Sequence, residues 1–114
     1  MAITEAFTGT ATINTTEFSL VNGSNTLASN TTAGVYQVFI DTLTMAAGDE
    51  YQIFIKEKVT SGGTQRTIWA ATLEGTQSTP FVTPTLILMN GWDVTMDLIT
   101  GTARSISWSI RKVG

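Results

Sequence analysis

Two aspartates, Asp93 and Asp97, stand four residues apart in a segment where apolar and polar residues alternate, so on a strand both carboxyls share one face roughly 13 Å apart. Carboxyl pairs that act as acid and base on a glycosidic bond stand about 5–9.5 Å apart. To form such a pair, a carboxylate from elsewhere (Asp41, Glu57 or Glu74) would have to join Asp93 or Asp97. The plainer reading of the two aspartates is a solvated polar face. Gly48-Asp49-Glu50 brings two carboxylates to a turn but lacks the spaced acids of a calcium loop. The chain has no cysteine and no histidine, which removes disulfides, thiol nucleophiles, the usual zinc ligands and histidine acid/base work. The expectation is a protein that is not an enzyme, with no catalytic residue, no metal site and no cofactor.

The remaining chemical candidates point to binding or to structure. The six bases, Lys56, Lys58, Arg66, Arg104, Arg111 and Lys112, are interleaved with nine acids in a chain of net charge -3, so no basic stripe exists to track a phosphate backbone and no nucleic-acid partner is expected. Thr8, Thr10 and Thr12 alternate on one strand, but a ladder that binds ice would have to recur strand after strand, and β-propensity explains a single one. Asn14-Thr15-Thr16, Asn22-Gly23-Ser24 and Asn30-Thr31-Thr32 fit the glycosylation pattern, which matters only in a secreted chain. Trp69, Trp92 and Trp108 lie among apolar neighbours, and core packing is their default role.

The elements that would carry these residues are strands. Period-two alternation is plain in Thr102–Val113, where Ile106, Trp108 and Ile110 oppose Ser105, Ser107 and Ser109. It recurs in Trp92–Leu98, and Thr100-Gly101-Thr102 between the two segments predicts a hairpin. Tyr51–Val59 and Gln65–Leu73, joined through Ser61-Gly62-Gly63, predict a second hairpin. Val35–Leu43, Thr85–Met89, Phe7–Ile13 and Thr16–Val21 add further strands, and Asn22–Gly34 reads as a long mobile loop. With 114 residues and no helical periodicity, the expected architecture is one all-β domain over 1–114: an antiparallel β-sandwich or flattened barrel of about 7–8 strands.

Composition adds the clue about partners. Charged residues are 13% of the chain against roughly 25% in ordinary domains, and neutral polar residues, among them 22 threonines, take their place. A surface so poor in charge is expected to be covered by partners. Ala2, Ile3 and Phe7, apolar and close to the first residue, are the candidate interface residues. Residues 1–7 form either an arm that orders onto a neighbour or a terminal strand packed on its own sandwich. No basic leader with an apolar run precedes them, and the charge-free stretches Phe18–Ile40 and Gly75–Trp92 are broken by polar residues, Gly or Pro, so a soluble chain made in the cytosol, with no membrane partner, is expected.

The stretch Leu43–Val59 (LTMAAGDEYQIFIKEKV), Ser61-Gly62-Gly63, Gly91-Trp92-Asp93-Val94-Thr95 and Gly101–Arg111 (GTARSISWSIR) resembles small β-rich virion proteins of tailed bacteriophages. The likeness covers roughly Val35 to Gly114, and the first third matches no named pattern. Such proteins include capsid decoration, or cement, proteins. The resemblance implies a non-enzymatic structural protein on the capsid surface of a virion, made in the cytoplasm of a bacterial host. It also implies that the chain braces the major capsid protein and acts with copies of itself, as a homotrimer. The rival from another class is a carbohydrate- or receptor-binding module of a phage tail or fibre, which predicts an exposed aromatic at Trp92 or Tyr36.

Overall fold

A computed structural model describes residues 2–114. Nine strands follow one another: β1 (Ile3–Ile13), β2 (Phe18–Ser19), β3 (Gly34–Asp41), β4 (Glu50–Lys58), β5 (Gln65–Glu74), β6 (Phe81–Val82), β7 (Leu86–Leu88), β8 (Asp93–Thr100) and β9 (Arg104–Val113). All pairings are antiparallel, as the clean alternation of apolar and polar residues requires of sheets with one dry and one wet face. One sheet has the order β1-β9-β3-β6, with β7 also on β3, and the other has β2-β8-β4-β5. The chain is thus an all-β sandwich of two antiparallel sheets.

With β6 and β7 taken as one strand interrupted around Pro84, each position in one sheet matches the chain neighbour at the same position in the other. The matched pairs are β1 with β2, β9 with β8, β3 with β4, and β6/β7 with β5. This is the connectivity of a jelly roll. The inward residues of both sheets meet in one core. Ile13, Val38, Ile40, Ile53, Ile55, Val94, Met96, Ile106 and Ile110 are all fully buried, each branched chain contributing about 1.5–3 kcal/mol relative to exposure.

One expected pairing needs correction. The β8–β9 segment is not a hairpin, because β8 pairs with β4 and β2 in one sheet while β9 pairs with β1 and β3 in the other. Thr100-Gly101-Thr102 is an arch between sheets. Both strands keep an apolar face toward the same core, and period-two alternation is identical for a hairpin and an arch. The β4–β5 hairpin does form, with a bulge at Ile55/Lys56.

The long loop, read as mobile, is tied to the sandwich at several points. The Trp92 indole donates to Thr32 O at 3.1 Å, the Tyr36 hydroxyl to the same oxygen at 2.9 Å and Gln65 Nε2 to Ala28 O at 3.0 Å. Asn30 and Trp92 exchange backbone bonds at 2.9 Å. Its many Asn, Ser and Thr residues serve as turn acceptors, as where Asn30 Oδ1 accepts from Thr32 N.

Candidate functional site

The carboxylates come first, since they were the chemical candidates. Asp93 is fully buried, not solvated. Ser19 Oγ donates to its Oδ1 at 2.7 Å, Val94 N to the same oxygen at 2.8 Å, and Ala28 N to Oδ2 at 2.8 Å. The loop after β2 folds over the outward face of β8 and seals this group from water. Burial pushes the Asp93 carboxyl up, against the lowering by the three donated bonds. Asp97, two outward positions along, is half-buried. None of the three suggested partners joins them. Asp41 lies on the other sheet and accepts from Leu43 N, Glu57 accepts from the backbone N–H groups of Met89 and Asn90, and Glu74 stands across from Glu50 on the β4–β5 ladder.

Asp49 is a second clamp. It accepts from Arg104 Nε at 2.7 Å, from Thr102 N and Ala46 N at 2.9 Å each, and these contacts hold its carboxyl down to about 2 from an ordinary 3.8. Among the described residues no group of three or more acidic side chains is gathered around a metal-sized point.

Asp49 and Asp93 therefore respond to pH in opposite senses. The Asp49 contribution to stability is fully present above the unfolded value near 4 and is lost as pH falls toward about 2. The Asp93 contribution is present below its unfolded value and declines as pH rises through its raised folded one. Carbon-detected NMR titration of the two carboxyls is expected to place Asp49 well below, and Asp93 above, the ordinary aspartate range. Arg104→Ala should bring Asp49 upward and leave Asp93 unmoved.

The outer face of the five-stranded sheet carries a run of small polar residues, exposed at Ser105 and buried at Ser109. Its middle strand, β9, points Ser105, Ser107, Ser109 and Arg111 outward. On one side Thr12, Thr10 and Thr8 of β1 stand opposite the three serines, and on the other Asp41, Phe39 and Gln37 of β3 stand opposite Ser107, Ser109 and Arg111. Small hydroxyls on the central strand between longer side chains leave a shallow trough of about 360 Å³, walled also by Pro80. Thr10 and Ser107 share a hydrogen bond at 2.8 Å, and Thr8 Oγ1 donates to Trp108 O at 3.0 Å. The threonine ladder thus has a partner ladder of serines. Sequence periodicity marked both but could not pair strands a hundred residues apart.

A bulge in β1 between Glu5 and Phe7 sets what reaches this face. Without it, Ile3 and Glu5 would share the inward parity of Phe7. With it, Glu5 turns outward to accept from Ser109 Oγ at 2.6 Å, while Phe7 turns inward edge-on to Trp92 at 5.8 Å. Arg111 lies over the Phe39 ring, 3.8 Å from its centroid, and its Nε donates to Ser109 Oγ at 3.3 Å. Among the described residues its terminal amino groups bond to nothing and it pairs with no carboxylate.

The interface candidates separate accordingly. Ile3 opposes Val113, which opposes Val35, which opposes Ile87, so one straight row of aliphatic side chains crosses four strands on the outer face. Ile3 is 70% and Ile87 80% exposed. Ala2 is exposed beside this row, its carbonyl bonded by Gly114 N at 2.9 Å. Phe7 is packed against the core. Residues 3–7 belong to β1 and are paired to β9, while Met1 of the supposed arm lies outside the described residues. Trp92 and Tyr36, the aromatics that the sugar-binding rival needs exposed, are buried at 0% and 1%.

Comparison with protein-family models, with curated proteins and with solved structures finds no match for this chain.

Proposed function

We propose that the chain is a non-enzymatic virion structural protein, a capsid decoration protein that binds the outer shell of a tailed phage as a homotrimer. The observation that carries this reading is the exposed aliphatic row Ile3, Val113, Val35 and Ile87, a contiguous apolar stripe beside the threonine and serine ladders of β1 and β9. Scattered apolar residues need no explanation, but a contiguous row across four strands is what an interface uses.

Three further features support the reading. The edge strand β1 has eleven residues with one charge, no lysine and no proline, so past its bulge at Glu5/Phe7 the stretch 7–13 has no charge or proline to keep it from pairing further, whereas β6 at the opposite edge is two residues long and lies between Pro80 and Pro84. Asp49, Glu57 and Asp93 are spent as hydrogen-bond acceptors that hold loops, which suits a scaffold. The resemblance of Val35–Gly114 to phage virion proteins supplies the partner, the major capsid protein. Jelly rolls serve viral capsids and lectins alike, so the fold does not choose between them and the surface must.

A modest apolar stripe suits this role because a symmetric oligomer on a symmetric shell sums several weak contacts into firm attachment. Light scattering is expected to give a mass near three times 12.2 kDa. Ile3→Asp and Ile87→Asp should each lower the mass toward the monomer and weaken co-sedimentation with capsid shells at least tenfold, because a charge in a desolvated row is left unpaired. A wild-type protein that is monomeric and does not sediment with shells overturns the proposal.

A further inference from the structure

The trough on β9 has a chemistry that the shell-binding reading does not use. We infer that it is a binding site for a neutral sugar, a hexopyranose ring. The inference does not depend on whether the protein decorates a capsid.

The lining decides the ligand class. Two carboxylates, Glu5 and Asp41, and one guanidinium, Arg111, face a depression floored by Ser107 and Ser109 and walled by Thr8, Phe39 and Pro80. A simple anion meets two negative groups and a simple cation meets Arg111. An apolar ligand would strip water from Glu5, Asp41 and the Arg111 amino groups without replacing its bonds. A ring carrying adjacent hydroxyls suits all of them, because each hydroxyl both donates and accepts: it can give to Glu5 or Asp41 and receive from the free amino groups of Arg111. Pro80 offers apolar surface to the C–H face of such a ring, one face of Phe39 being covered by the Arg111 guanidinium. The volume of about 360 Å³ accommodates a pyranose ring, and the depression is open to solvent.

The polar groups are also held in place before any ligand arrives. Ser109 Oγ receives Arg111 Nε and gives its proton to Glu5, so one small residue aligns a cation and an anion on either side of it. Phe39 supports the Arg111 guanidinium from below at 3.8 Å. The bulge at Glu5/Phe7 is what brings Glu5 to the site. Such preorganisation lowers the ordering cost of binding a small polar ligand.

The test is a titration of the nitrogen-15-labelled protein followed by NMR, with methyl glucoside, methyl galactoside, methyl mannoside and N-acetylglucosamine as separate probes and with sialic acid and inorganic phosphate as anion controls. The expected result is a saturable shift of the amides of Thr8, Phe39, Asp41 and Ser107–Arg111 with at least one neutral sugar. Arg111→Ala should weaken that binding roughly tenfold or more through loss of the charge-assisted donors. Ser107→Val, which fills the trough with a side chain that strands favour, should abolish it, and undisturbed remaining resonances report that each variant is folded. The inference is overturned if no neutral sugar shifts these amides, if the shifts persist in Arg111→Ala and Ser107→Val, or if only the anions shift them.

Discussion

Asp93→Ala is expected to lower stability by about 3 kcal/mol and the melting temperature by roughly 10–15 °C. The carboxylate is fully buried and satisfies three donors, Ser19 Oγ, Ala28 N and Val94 N. Alanine leaves all three without an acceptor, each unmet group costing about 1–3 kcal/mol. The sum is not reached, because burying the charge is itself unfavourable and its removal gives part of the loss back. Asparagine cannot restore the site, since its amide group would face a donor where Ala28 N now finds an oxygen. Asp93→Asn should therefore fall between wild type and alanine. The loss should be accompanied by fast amide exchange in 20–33, the loop that the carboxylate anchors. Thermal denaturation and hydrogen exchange check both statements, and a variant with wild-type stability would mean that the loop is held by its contacts with Tyr36, Gln65 and Trp92 alone.

Gly101→Ala is expected to cost a comparable amount, about 3 kcal/mol, for a different reason. Gly101 has φ of 103°, in the left-handed region that side chains avoid, at roughly 1–3 kcal/mol. A Cβ there would also run into Asp49 Oδ1, stand 2.7 Å from Asp49 Cα and 2.8 Å from Gly48 O. Two of those atoms are backbone, so relief requires the turn to move, with an overpacking cost of roughly another 1–3 kcal/mol. Moving the turn breaks the Asp49 clamp on Thr102 N and Arg104. The variant should thus show an Asp49 carboxyl that titrates closer to its ordinary range, which separates this cause from a general loss of stability. Gly23→Ala makes the control: its φ is 67°, but its Cβ would meet nothing within 4 Å, so only the backbone part of the cost should remain.

The strands and their inward faces were legible because Ile, Val and aromatic residues alternate with polar ones, and an all-β sandwich follows from that pattern alone. The partners of each strand were not. β8 and β9 read as a hairpin because an arch between sheets preserves the same alternation, and the arch is held from some fifty residues upstream, by Asp49 on Thr102 and Arg104 and by the Tyr51 hydroxyl on Arg104 N. The polar face of β8 read as wet. Asp93 is dry because the loop after β2 lies over it, and that loop has no periodicity to reveal its course. Phe7 and Ile3 read as members of one apolar terminus, yet the bulge at Glu5/Phe7 sends them to opposite faces. The trough was half visible: the wet serines of Ser105–Ser109 and the Thr8–Thr12 ladder could each be seen, but their joining, with Arg111 on Phe39, depends on pairings from opposite ends of the sequence.

Those same pairings set the order in which the molecule can be made. The centre of the five-stranded sheet is β9, and both of its neighbours, β1 and β3, precede it by many tens of residues. During synthesis the β4–β5 hairpin can close as soon as it leaves the ribosome, whereas β1 waits, unpaired on both edges, until β9 arrives. Closing a segment of about a hundred residues is entropically slow, so folding on the millisecond-to-second scale is expected, with the four-stranded sheet nucleating and the other completing it. A single-charge, proline-free β1 held open for that time is the segment most exposed to wrong partners, and crowded expression would betray it first through aggregation.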